Sequence, residues 1–123
     1  MENEALDIAS IAYGALEEKK GENIKVIKIT DISTIADYFI VVNGNNPSQL
    51  RAMHDEVEDR LSKSGYEPKR IEGIRSDSWI LLDYGDVIIH IFSKEDREFY
   101  DLERIWIDGQ VVDSKDLLQK VNA

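Results

Sequence analysis

The fold class the sequence predicts is α/β: a single domain with a mixed β-sheet and flanking helices. Two observations lead there. Tyr38–Val42 is an unbroken apolar run of strand length and Val87–Phe92 is apolar apart from His90, whereas Leu6–Lys20 and the stretch between Pro47 and Gly65 repeat their apolar residues every three or four positions. The two kinds of segment also alternate along the chain, which favours a sheet layered with helices over an all-β or all-α domain. With 123 residues, 42% of them hydrophobic, the chain has enough apolar side chains for one core. It has no cysteine, so disulfide staples, a thiol nucleophile and thiolate zinc sites are excluded.

The elements follow in order. In the first helix, Ala5, Ile8, Ala9, Ala12, Ala15 and Leu16 share one face. Their small side chains allow close approach to a neighbour. Lys19, Lys20 and Gly21 are the expected stop, with Gly21 supplying a positive φ. Ile24–Ile29 reads as a strand whose alternation breaks at Val26-Ile27, predicting burial on both faces. A polar connection, Thr30–Asp37, has room for one helical turn, and Tyr38–Asn43 follows as a central strand. The second helix has clear start signals: Asn46 as cap, Pro47 at the first position and Gln49 placed to reach back. Its buried stripe is Leu50, Met53, Val57 and Leu61, and Gly65 ends it.

A short strand is expected around Ile71. Trp79–Tyr84 and Val87–Phe92 flank the turn Asp83-Tyr84-Gly85-Asp86 and predict an antiparallel hairpin. Ser93-Lys94-Glu95-Asp96 resembles a capping box opening a helix through Phe99 and Tyr100. Asp108-Gly109 marks a turn, and Ser114–Val121 a short terminal helix. Residues 1–108 are thus read as the domain and 109–123 as a C-terminal extension. Val26, Val41 and Ile89 are expected at the centre of the sheet.

Charge narrows the function. Asp and Glu number 25 against 15 Lys and Arg, a net charge of −10. Phosphate backbones and anionic membrane surfaces repel such a chain, so direct DNA or RNA binding and membrane association are disfavoured, while a basic protein partner fits. The acidic start Met1-Glu2-Asn3-Glu4 is unlike a targeting peptide, and no apolar run approaches a membrane span. The cytoplasm is the expected location, and no cofactor is implied.

The residues that carry chemistry in other proteins are sparse. His90 lies within a strand and is expected half-buried; His54 is expected on the surface of the second helix. No metal-ligand histidine spacing occurs. Asp37, Asp83 and Asp86, with His90, are the only grouping that suggests a nucleotide- or metal-dependent enzyme, and Asp83 and Asp86 serve equally well as turn formers. Asn43-Gly44-Asn45 precedes a helix as a phosphate cradle would, without the further glycines or the Lys-Ser that such loops use. Trp79 stands out more. Trp79, Leu81 and Asp83 share one face of their strand and Ile80, Leu82 and Tyr84 the other. One face packs on the helices; the other is open to carry an aromatic anchor rimmed by acid, although Trp79 fits a core position too.

Three segments resemble the ribosomal silencing factor (Iojap) family: Ala36–Gly44, then Glu72-Gly73 followed by Trp79–Phe92 with its Asp-Tyr-Gly-Asp turn, then Arg97–Trp106. The resemblance spans Leu6 to Asp108. It implies a nucleotidyltransferase-like fold without catalysis, consistent with the lack of the Gly-Ser and Asp-x-Asp pattern of such enzymes. It also implies binding to the large ribosomal subunit through its ribosomal protein fourteen, sterically blocking the small subunit and repressing translation. On that reading Trp79 is the interface anchor, Leu81 and Tyr84 add apolar contact, Asp83 makes a charge-assisted bond, and Asp77 and Arg75 lie at the rim. At Asp77 the chain departs from the small residue, often Gly, that many members carry. An exposed apolar sheet face also leads us to expect a homodimer in isolation.

Overall fold

The computed structural model describes residues 2–30, 36–100 and 110–112. Along the chain these form α1 (Glu2–Glu18), β1 (Glu22–Lys28), β2 (Tyr38–Gly44), α2 (Pro47–Lys63), β3 (Arg70–Glu72), β4 (Trp79–Asp83), β5 (Val87–Ser93), α3 (Lys94–Tyr100) and β6 (Gln110–Val111). The strands make one sheet in the order β3-β4-β5-β2-β1-β6. Only β2 and β5 run parallel, with Ile40 opposite Ile89; every other neighbouring pair is antiparallel. The expected mixed α/β sheet is therefore present, with α2 inside the crossover that makes the parallel pair possible.

The small-residue stripe of α1 is buried along its length, from Ala5 to Leu16, and α2 buries Leu50, Met53, Val57 and Leu61 as expected. Both helices cover one face of the sheet, together with Val26, Ile40, Val42, Ile80, Leu82, Ile89 and Ile91. The opposite face holds a second cluster: Ile27, Ile29, Phe39, Val41 and Phe92, with Trp79 and Ile88 at its margin. Val26, Val41 and Ile89 are all at most 2% exposed, and they divide between the two faces.

The helix ends explain themselves locally. Asn46 is extended, and its side chain accepts the Gln49 N–H at 2.9 Å. Gln49 reaches back one residue further than a capping box would, accepting the Asn45 N–H at 2.7 Å. Its amide nitrogen donates to the Lys19 and Lys20 carbonyls, so one side chain joins the start of α2 to the end of α1.

Several expectations need correction. At the end of α1 the left-handed residue is Lys20, with φ 61, not Gly21. Lys20 N–H bonds Glu17 and Gly21 N–H bonds Leu16, the two bonds of a Schellman cap. Gly21 is needed for space instead, since a Cβ there would lie 2.6 Å from Val42 Cγ2. β1 is buried on both faces only at Val26-Ile27, because a bulge with Asn23 at φ 52 disrupts its first half. His54 is buried, at 6% exposure, between Asp55 and Glu58 rather than on the surface. β6 pairs with β1, so a boundary at residue 108 cuts through the sheet. The Thr30–Asp37 turn falls mostly, and the Asp108-Gly109 turn and Ser114–Val121 helix fall wholly, outside the described residues.

Candidate functional site

Alternation along β4 turns Trp79, Leu81 and Asp83 away from the helices and Ile80 and Leu82 toward them. Trp79 pairs with Phe92 and Leu81 with His90 on β5, which places four rings side by side. The Trp79 ring centroid lies 5.0 Å from Phe92 and 5.7 Å from His90, and Phe39 of β2 lies 4.6 Å from His90. Trp79 Nε1–H donates to His90 Nδ1 at 2.9 Å. An indole nitrogen can only donate, so Nδ1 must be unprotonated. Burial favours the same state, pushing the His90 pKa down to about 4. His90 is thus a neutral acceptor that fixes the indole, and at 5% exposure it is buried rather than half-buried as the sequence suggests.

Beside Trp79 opens a groove of about 430 Å³ lined by Glu72, Gly73, Ser76, Ser78, Trp79, Leu81 and Asp96. Its wall is a tight loop. Gly73 has φ 78, and a Cβ there would collide with the Trp79 carbonyl oxygen, so only glycine fits. Ser76 Oγ accepts the N–H groups of Ser78 and Trp79, each at 3.1 Å. The opposite wall is α3. Ser93 Oγ caps it by accepting the Asp96 N–H at 3.1 Å. The reciprocal half of the expected capping box does not form, because the Ser93 N–H goes to the Ser78 carbonyl at 2.7 Å. Asp96 lines the groove. Ile74 and Phe99, 46% and 78% exposed, add apolar surface on the loop and on α3.

The sequence-derived site residues fare unequally. Trp79 and Leu81 are half-buried in the groove. Asp77 and Arg75 are exposed on the loop, with Asp77 3.8 Å from Arg51 of α2. Asp83 is already engaged: Oδ1 accepts the Gly85 N–H at 2.8 Å and Oδ2 lies 3.8 Å from Arg70. Tyr84 is a correction. It lies on the helix-covered face at 6% exposure, where burial and then Glu58 and Glu67 raise its pKa, and it cannot line the groove. The enzyme-like grouping is not assembled. Asp37 and Asp86 meet through backbone at the start of β2, while the His90 ring is packed between Phe39 and Phe92 and bonded to Trp79. Among the described residues no group of three or more His, Asp or Glu is placed to hold a metal ion. The groove's polar wall carries little sequence signal: Asp96 reads as part of a capping box, and Ser76 and Ser78, in the loop before β4, belong to no motif. Gly73 before that loop was the available signal.

A family model described as "Ribosomal silencing factor during starvation" matches residues 2–123. The chain belongs to the ribosomal silencing factor family. A ribosomal silencing factor of Bacillus subtilis is 37% identical over 106 residues, covering 86% of this chain and 90% of that one. A crystal structure of a Chromobacterium violaceum protein superposes with a TM-score of 0.78 at 31% identity, covering 80% of this chain and 82% of the other. The mouse protein named "Mitochondrial assembly of ribosomal large subunit protein 1" is 31% identical over 94 residues, 74% of this chain and 41% of its own length. The family match runs past residue 108, in keeping with β6 being part of the sheet. Among the described residues no helix is long and apolar enough to cross a membrane.

Proposed function

We propose that this ribosomal silencing factor binds the large ribosomal subunit through ribosomal protein fourteen of that subunit, and represses translation by occupying volume the small subunit needs in order to join. The observation that carries the reading is the groove: a half-buried Trp79 and Leu81 at its floor, with Glu72 and Asp96 on facing walls. Aromatic anchors in partly enclosed, acid-rimmed hollows are what basic partners use as hot spots. The chain's charge of −10 favours a basic ribosomal protein over bare rRNA. Family membership and the mouse relative's name, which refers to assembly of the ribosomal large subunit, support the large subunit as the target. Asp77 and Arg75 are rim contacts in this reading. The charge-assisted bond assigned to Asp83 passes to Asp96, which makes no ion pair among the described residues. No chemical step is involved; occlusion is sufficient.

Sedimentation of purified subunits tests it. The chain is expected to travel with the large subunit and to reduce the joined-ribosome peak. Trp79→Ala is expected to weaken binding by about 2 kcal/mol or more, roughly 30-fold, the scale of a hot-spot residue. A folded Trp79→Ala protein that binds the large subunit as tightly as wild type would overturn the assignment.

A further inference from the structure

Among the described residues Arg97 is one of the few ionisable side chains that are buried, at 8% exposure. It follows Asp96 on α3 but projects the other way, across the sheet end to β1 and β2. One guanidinium nitrogen, Nη1, donates to Asn43 Oδ1 at 2.9 Å, to the Glu22 carbonyl at 3.3 Å and to the Asn23 carbonyl. Those carbonyls belong to the β1 bulge, where the register with β2 shifts between Glu22 and Lys25 and Asn23 takes φ 52. Interrupting the ladder there leaves carbonyl oxygens that the guanidinium takes up. The network goes on. Asn43 Nδ2 donates to one Glu22 carboxylate oxygen at 3.2 Å and Asn45 Nδ2 to the other at 3.4 Å. Gln49 then links Asn45 to the end of α1. The Asn43-Gly44-Asn45 segment, which reads like a phosphate cradle, is thus committed to holding a cation of the same chain.

Helices in folded proteins owe most of their stability to tertiary packing rather than to propensity, so the placement of α3 depends on such anchors. α3 leaves β5 with no intervening loop, and its Ser93 cap fixes only one end. The Arg97 contacts supply the second fixed point. From the same turn of helix Asp96 faces the groove. We propose that Arg97 is a positioning residue for partner binding: by tying α3 to the β1 bulge it holds the Asp96 carboxylate on the groove wall opposite Glu72 and Gly73. This rests on the reading of the groove as the partner-binding site. It adds a residue that touches no partner and acts through Asp96.

A double-mutant cycle tests it, with affinity for purified large subunits as the readout. Asp96→Asn and Arg97→Met are each expected to weaken binding about fivefold, the scale of a partly exposed charge contact. The double variant is expected to bind no more weakly than either single one, because Arg97 has nothing left to position. General loosening of the domain would instead make the two losses multiply, and that result overturns the proposal, as does wild-type binding by Arg97→Met. If Arg97→Met does not fold by circular dichroism, the same cycle with Arg97→Lys decides, since lysine keeps the charge but not the planar fork. Trp79→Ala is the reference. If it too binds like wild type, the groove reading has failed; if it binds weakly while the Arg97 variant binds normally, only the positioning role has.

Discussion

Lowering the pH from 7.5 to 5.0 is expected to destabilise the domain through His90, by an amount that follows from its burial. The imidazole is 5% exposed, and desolvation brings its pKa from 6.5 to about 4. Between those values the unfolded chain binds a proton at this position and the folded chain does not, so stability falls as pH falls. The loss begins near pH 6.5, reaches about 2 kcal/mol at pH 5.0 and levels off near 3 kcal/mol below pH 4, at about 1.4 kcal/mol per unit of displacement. The same proton would occupy Nδ1 and break the bond from Trp79, so acid loosens the floor of the groove as it weakens the fold. Other groups also titrate in this range, and a control removes them. His90→Gln keeps an acceptor for the indole but cannot ionise. Urea unfolding of both proteins at the two pH values gives a stability difference at each. That difference is expected to move by about 2 kcal/mol in favour of the variant at pH 5.0. A difference that stays constant would refute the reasoning, because His90 would then carry no buried-base penalty.

Two further substitutions test the backbone reading. Gly73→Ala is expected to cost about 3 kcal/mol or more in urea unfolding, combining a positive φ with a collision at the Trp79 carbonyl, and to alter the near-ultraviolet circular dichroism of the Trp79 region; a loss under about 1 kcal/mol would show that the loop has room to adjust. Lys20→Gly is expected to raise stability by about 0.5–1 kcal/mol, since Lys20 occupies the left-handed position of a Schellman cap that glycine fills without strain. A destabilised Lys20→Gly protein in the same assay would mean that the side chain contributes more than the backbone loses.

Most of the architecture was legible because local rules and tertiary packing agree here. The stripe of α1, the capped start of α2, the central β2 and the β4–β5 hairpin all follow from side-chain periods and from turn and cap chemistry, which act over a few residues. Where prediction and structure part, a long-range contact decides. Gly21 looked like the positive-φ residue after α1, but Val42 takes the space a side chain would need, and the strained position passes to Lys20. His54 looked exposed among charged neighbours, yet the packing of α2 buries it. β6 is two residues long and becomes a strand only because β1 offers it an edge.

The candidate site divides in the same way. From the sequence alone came the separation of Trp79 and Leu81 from Ile80, Leu82 and Tyr84, because a strand turns successive side chains to opposite faces. The net charge, with the class of partner it attracts, and the family resemblance were likewise present in the sequence. Which face the helices cover was not, since both are apolar enough to pack, and the choice was made where α1 and α2 docked. Only that docking removed Tyr84 from the site and left Trp79 half-open beside His90. The groove itself needed the tertiary structure as well. Its walls, Gly73 with Ser76 on one side and Asp96 on the other, are brought together by a hydrogen bond from Ser93 to Ser78 and by Arg97 reaching β1. Contacts between residues so far apart in the chain leave no local pattern, because they form only when the whole sheet does.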